Sequence, residues 1–228
     1  MSYANYVTPD RVIATISYRR EYFKHLATSL ALLYQGSIGY RFSYTYSTDF
    51  NRDGTTGNDL IYIPRDARNT SEISFGTANV IQNGVTYTPA QQAQLFEDYI
   101  NQDKYLKAHR GQYAERNGAT APWRNQVDAR FMQDLFAKTG KNRNTFQFTI
   151  DIFNLGNLLD PSWGKVKLTN ASAILVPTNA PLLVSGGTVV PTFKLNTSQG
   201  QFVTRTFRDD VSTNSTYSVQ FGVRYLFN

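Results

Sequence analysis

The residues best placed to do chemistry lie in "DFNRDGTTGND", residues 49–59. Asp49, Asn51 and Asp53 set oxygen atoms at alternate positions, and Gly54 follows where an EF-hand-like calcium loop turns sharply. Such a loop closes with a bidentate carboxylate at its twelfth position. Leu60 stands there instead, with Asp59 one residue earlier. Two readings follow. Either Ca2+ is held in a variant loop closed by Asp59, or the same oxygens cap backbone N–H groups in an Asx-rich surface turn.

Covalent or acid–base catalysis has little support. The chain has two histidines, His25 and His109, and neither accompanies a nucleophile motif. No glycine-rich phosphate loop follows a strand. Asp209 and Asp210 are neighbours within a polar stretch, where solvation is their ordinary role. There is no cysteine, so disulfides and thiolate metal sites are excluded. The expectation is a protein that is not an enzyme and requires no cofactor. Lysine and arginine total 23 against 17 acidic residues, a net charge of +6. The basic side chains are scattered from Arg19 to Arg143 rather than gathered on one face, so no nucleic-acid partner is expected.

The elements that carry these residues read mainly as strands. Residues 11–19 alternate, with Val12, Ala14, Ile16 and Tyr18 on one side. After a short turn the alternation runs from Leu26 to Thr48. It returns over 123–136, over 145–154 beyond the basic turn "AKTGKNRN", and over 216–227, where Tyr217, Val219, Phe221, Val223, Tyr225 and Phe227 share a face. Between them lie two long connections, 49–122 and 157–214. The first contains a hairpin at Asn83-Gly84 and a helix opening at Thr88, with Pro89 in its first turn and Gln91 completing a capping box. The second contains the apolar runs "AILV" and "PLLV", for which no structure is assigned.

No run of about 18 apolar residues is present, which excludes a transmembrane helix but not a transmembrane barrel, whose strands are polar on the lumen side. Short turns alternating with long loops, and 32 aromatic residues among 228 (15 Phe, 15 Tyr, 2 Trp), fit such a barrel and its interfacial girdles. The expected fold class is therefore all-β: an antiparallel transmembrane β-barrel segment with two long extracellular loops, one carrying a short helix. Its apolar faces would meet the lipid bilayer of the bacterial outer membrane. Arg41, Asp128, Arg130, Asp151 and Arg224 would face the lumen, as a hydrogen-bonded ladder between strands or in contact with a plug or passing solute. Trp123 would join an interfacial belt.

Three stretches add a resemblance: "NDLIYIP" (58–64), "YLKAHRGQYAERNGATAPW" (105–123) and "FTIDIFNLGNLLD" (148–160). Together they resemble the C-terminal end of TonB-dependent outer-membrane receptors, in particular the Oar-like branch that carries a carboxypeptidase-like regulatory domain and is typical of Bacteroidetes. The resemblance covers most of the chain and is weakest over 65–88 and 161–214. It implies a barrel of about 22 strands around a plug, of which this chain would supply the last five. Its partners would be the missing plug and remaining strands, TonB through an N-terminal part, and an unknown extracellular solute. Within the motif, Arg110, Arg116 and Trp123 are expected to fold the outer loop onto the barrel rim. The N-terminus "MSYANYVTPDRVIATISYRR" has no basic segment followed by an apolar core, which fits the tail of a longer receptor. Two alternatives remain: a complete small outer-membrane barrel of about eight strands, drawing extra strands from 73–88, 172–195 and 199–208, or a secreted calcium-binding all-β module.

Overall fold

The computed structural model describes residues 3–140, 142–179 and 190–227. Strands account for 46% of the residues and helices for 13%, so the chain is all-β with minor helix. It divides into two compact units. A sheet unit comprises residues 8–39, 122–167 and 209–228. An insert unit comprises 1–7, 40–121 and 168–208.

The sheet unit is built on five long strands: β1 (Arg11–Tyr22), β2 (Leu26–Ser37), β3 (Arg124–Thr139), β4 (Asn142–Phe153) and β5 (Ser218–Leu226). They lie in sequence order, each antiparallel to the next. Tight turns join β1 to β2 and β3 to β4. The connections from β2 to β3 and from β4 to β5, by contrast, contain all of the insert unit except residues 1–7. At the first turn Phe23 and Lys24 both have positive φ, 50° and 60°. Two left-handed residues match the right-handed twist of the strands they join. Among the described residues, no strand pairs with the free edge of β1 or of β5.

Alternation over 26–48 predicts one strand, and here the structure differs. β2 ends at Ser37, and the run resumes as the short strands Arg41–Phe42 and Thr45–Tyr46 in the insert unit. Period two persists because Phe42, Tyr44 and Tyr46, buried in the insert unit, continue the phase of Leu30 and Leu32. The same period has two causes: in β2 the apolar phase, with Leu30 and Leu32, is exposed, whereas in the insert unit it is buried.

The connections 49–122 and 157–214 are not plain loops, because most of their residues form the insert unit. Its core joins Tyr44, Tyr46, Ile61 and Ile63 to Phe96, Tyr99 and Ile100 of α1 (Pro89–Gln102), and to Ile174, Leu175, Phe193 and Leu195. The helix begins as its sequence predicts. Thr88 accepts from Gln91 N–H and the Gln91 side chain accepts from Thr88 N–H, with Pro89 in the first turn. The Asn83-Gly84 hairpin forms between Val80–Gln82 and Val85–Tyr87, both turn residues having positive φ. "AILV" becomes the strand Ala173–Pro177, antiparallel to Phe193–Leu195 and parallel to Thr45–Tyr46. "PLLV" lies outside the described residues. Segments 73–88, 172–195 and 199–208 contribute only short strands, and among the described residues none enters the five-stranded sheet.

Candidate functional site

Register divides the sheet into two unlike faces. One carries Ile16 and Tyr18 of β1, Leu30 and Leu32 of β2, Phe131 and Leu135 of β3, Phe146, Phe148 and Ile150 of β4, and Phe221, Val223 and Tyr225 of β5. These side chains are exposed: Ile16 at 69% and Phe221 at 75%. A contiguous apolar face of this size on a monomer marks a surface with a partner. Arg20, in register with Thr28, adds one charge to this face, and several of its other polar groups pair with one another. Toward the tight-turn end, the Tyr22 and Thr28 hydroxyls both donate to Gln133 Oε1, at 3.1 and 2.7 Å. Toward the other end, Tyr34 OH and Trp123 Nε1 donate to Asn125 Oδ1 at 2.7 and 2.9 Å. The Trp123 ring lies over Gly36, where a Cβ would come within 2.8 Å of its Cζ2.

The opposite face is a charged ladder. Arg19 meets Asp134 at 2.8 Å, and Gln147 donates to Asp134 at 2.7 Å. Arg130 grips both oxygens of Asp151 on the neighbouring strand. Glu21 pairs with Arg143 at 3.2 Å, and Asp128 accepts from Gln126 and from Asn154 N–H. Arg224 is exposed beside Gln147 in register. Of the five residues expected on the lumen side, Asp128, Arg130, Asp151 and Arg224 share this face. Arg41 does not. It belongs to the insert unit, where it donates to Asn117 O and lies over the Tyr3 ring. The same break after Ser37 that divides the long alternating run removes Arg41 from the sheet. Sequence reading did not single out Arg19 and Asp134, though both lie on the polar phase of the strands it assigned, and it left Glu21 and Arg143 in turns that the strands in fact include.

In the insert unit, Arg110 is the organising cation. It donates to Glu97 Oε1 at 2.6 Å, to Glu97 Oε2 at 3.2 Å, to Asn101 at 3.1 Å and to Arg65 O at 2.8 Å. Burial pushes the Glu97 carboxyl up, but the Arg110 hydrogen bonds and the Ala67 N–H outweigh it and hold Glu97 below its ordinary range. Arg116 is exposed and makes no hydrogen bond or ion pair among the described residues. Its neighbour Asn117 does the bonding, to Ser43 and to Tyr3 O. Deeper in the unit, Asp103 Oδ2 accepts from Tyr44 OH and Thr206 Oγ1, each at 2.6 Å. Tyr44 is pushed well above the ordinary tyrosine range, first by burial and then by the neighbouring Tyr99 and Asp103.

In the loop 49–59 the oxygens of Asp49, Asn51, Asp53 and Asp59 accept from the loop's own backbone, while Asn58 Oδ1 is buried with no hydrogen bond among the described residues. Asp49 accepts from Asp53 and Gly54 N–H, Asn51 from Asp53 N–H, and Asp53 from Thr55 N–H. Asp59, which is buried, accepts from Phe50 and Asn51 N–H at 2.6 and 3.3 Å. These are the contacts of an Asx-rich turn. Among the described residues, no group of three or more His, Cys, Asp or Glu is placed to hold a metal ion. The two histidines have structural neighbours. His25 Nδ1 lies 3.3 Å from Phe136 O, and His109 stacks on Tyr105. Asp209 pairs with Lys165 and Lys167.

No protein-family model, no curated protein and no solved structure matches the chain.

Proposed function

We propose that this chain is the C-terminal barrel segment of a TonB-dependent receptor of the bacterial outer membrane, which imports a large or scarce solute. The observation that carries this reading is the two-faced meander, open at both edges. Lipid is the partner that a tall, continuous, aromatic-rimmed apolar face requires, and a polar lumen or plug suits the charged face. From Val12 to Tyr22 the strand rises about 33 Å at ~3.3 Å per residue, which a tilt of about 40° turns into a band of about 25 Å, the height of a barrel's apolar belt. Unpaired edges on β1 and β5 supply templates for the remaining strands.

Five strands cannot close a pore, because the smallest transmembrane barrels use about eight. On this reading the segment alone does not transport. Its role is to complete the barrel wall and to carry the insert unit in the two long connections, which barrels of this type place outside the cell.

The test is purification of the chain with and without detergent, followed by reconstitution into lipid vesicles. Membrane insertion, with the insert unit accessible to added protease on one side only, is the expected result. A chain that stays soluble and monomeric without detergent would sink the proposal.

A further inference from the structure

Within the insert unit a cavity of about 170 Å³ is walled by aromatic rings, with one carboxylate among them. Tyr46, Phe50 and Phe193 form one stacked group, with centroids 4.5 to 6.1 Å apart, and Tyr62 and Tyr113 form an edge-to-face pair at 5.5 Å. Glu72 is the acid. Its Oε2 accepts from Arg65 N–H at 2.7 Å and from Tyr62 OH at 3.4 Å. Among the described residues its Oε1 accepts no hydrogen bond. The nearest cation is Arg65 Nη1 at 3.7 Å, on a side chain 75% exposed.

We infer that this cavity binds an alkylammonium group, either a small organic cation or the cationic end of a larger molecule. Aromatic rings present negative potential on their faces and attract a cation, and a desolvated carboxylate among them adds to that attraction. The same arrangement repels an anion. A neutral hydroxylated ligand would need several polar groups aimed at it, and here most are already engaged. Ser71 Oγ donates to Asn69, Ser74 Oγ accepts from Gly76 N–H, Tyr46 OH accepts from Tyr62 N–H, and Tyr62 OH donates to Glu72. Glu72 Oε1 remains as the charged acceptor, beside the hydroxyls of Thr70 and Tyr113. The volume is below the ~300 Å³ at which pockets for whole drug-sized ligands begin, so it suits one end group. Arg65 is the resident competitor, loosely held and free to swing into solvent. The site stands on the insert unit alone and does not depend on whether the sheet meets lipid.

Calorimetric titration of the full chain in detergent with tetramethylammonium chloride, against sodium chloride at equal ionic strength and against glucose, tests the site. Saturable binding of tetramethylammonium alone is expected. Glu72→Gln, which keeps the shape and the Oε2-side contacts, should weaken it about tenfold or more. Tyr113→Ala, at a residue 67% exposed, should weaken it severalfold while circular dichroism stays unchanged. No saturable binding, binding indifferent to both substitutions, or preference for glucose would overturn the inference.

Discussion

Arg110 and Glu97 meet through both arms of the guanidinium, with side chains only 20% and 10% exposed. The pair ties α1 to the segment after α2 (Lys104–Ala108) and, through Arg65 O, to the chain before the helix. Removing one member of a largely buried pair leaves the other charge uncompensated. Arg110→Met should therefore cost about 2–3 kcal/mol in denaturant unfolding. Arg116→Met, two turns of sequence motif away but exposed, should fall within about 0.5 kcal/mol of the parent. Equal effects at the two positions would contradict this assignment.

The same pair sets an acid limit. The Glu97 carboxyl titrates below its ordinary value in the folded chain, so its contribution is fully present above the ordinary glutamate range, about pH 4.3, and is lost as pH falls through the folded value. The stability gap between the parent and Arg110→Met should close on acidification below that range. A gap that stays constant from neutral to acid pH would show that Glu97 is not the partner that matters.

Buried tyrosines set an alkaline limit. Burial, opposed by the Tyr62 N–H, pushes Tyr46 up to about 12, and Tyr44 lies higher still. A raised folded pKa means stability that is present below the unfolded value, about 10, and declines as pH rises above it, because only the unfolded chain then ionises these groups. Tyrosinate absorbance should rise in two stages, with exposed rings first and Tyr44 and Tyr46 only on unfolding. A single stage complete before unfolding would contradict their burial.

Gly36 leaves room for the Trp123 ring. A Cβ there would lie 2.5 Å from Tyr34 Oη and 2.8 Å from Trp123 Cζ2, so Gly36→Ala must displace both side chains, at about 1–3 kcal/mol. In lipid vesicles containing a brominated acyl chain, Trp123 fluorescence should be quenched in the parent and less so in Gly36→Ala. Trp163→Phe isolates the signal. An unquenched Trp123 in the parent would count against a lipid-facing rim.

The turn at 49–59 holds itself together, with Asp59 as its buried acceptor. Asp59→Ala should lower the melting temperature of the insert unit, corresponding to about 1–3 kcal/mol, while millimolar calcium and a chelator leave the parent unchanged. A calcium-dependent rise in melting temperature would favour the metal-loop reading instead.

What the sequence disclosed is what local chemistry controls. Period two marked the five long strands, Asn83-Gly84 marked the hairpin, and Thr88-Pro89 with Gln91 marked the start of α1, because turn geometry and cap hydrogen bonds form between near neighbours. The break after Ser37 was hidden because Phe42, Tyr44 and Tyr46 continue the same phase against different neighbours. The insert unit was hidden for a related reason. Its core is made by pairs such as Tyr46 with Phe193, and no window of sequence contains both. Arg41 was placed with the sheet through that continuity. Glu97 and Asp103 were passed over because a lone acid on a helix or in a loop ordinarily faces water.

The insert unit draws its core from two stretches of chain separated by the β3–β4 hairpin. Its first stretch cannot complete the cover of Tyr46 until Phe193 has been synthesised. For more than a hundred residues of synthesis that core stays incomplete, a hazard for aggregation that chaperones exist to manage. Closing such distant contacts is slow. Refolding from denaturant should accordingly show the α1 signal well before the buried tyrosines reach their final environment.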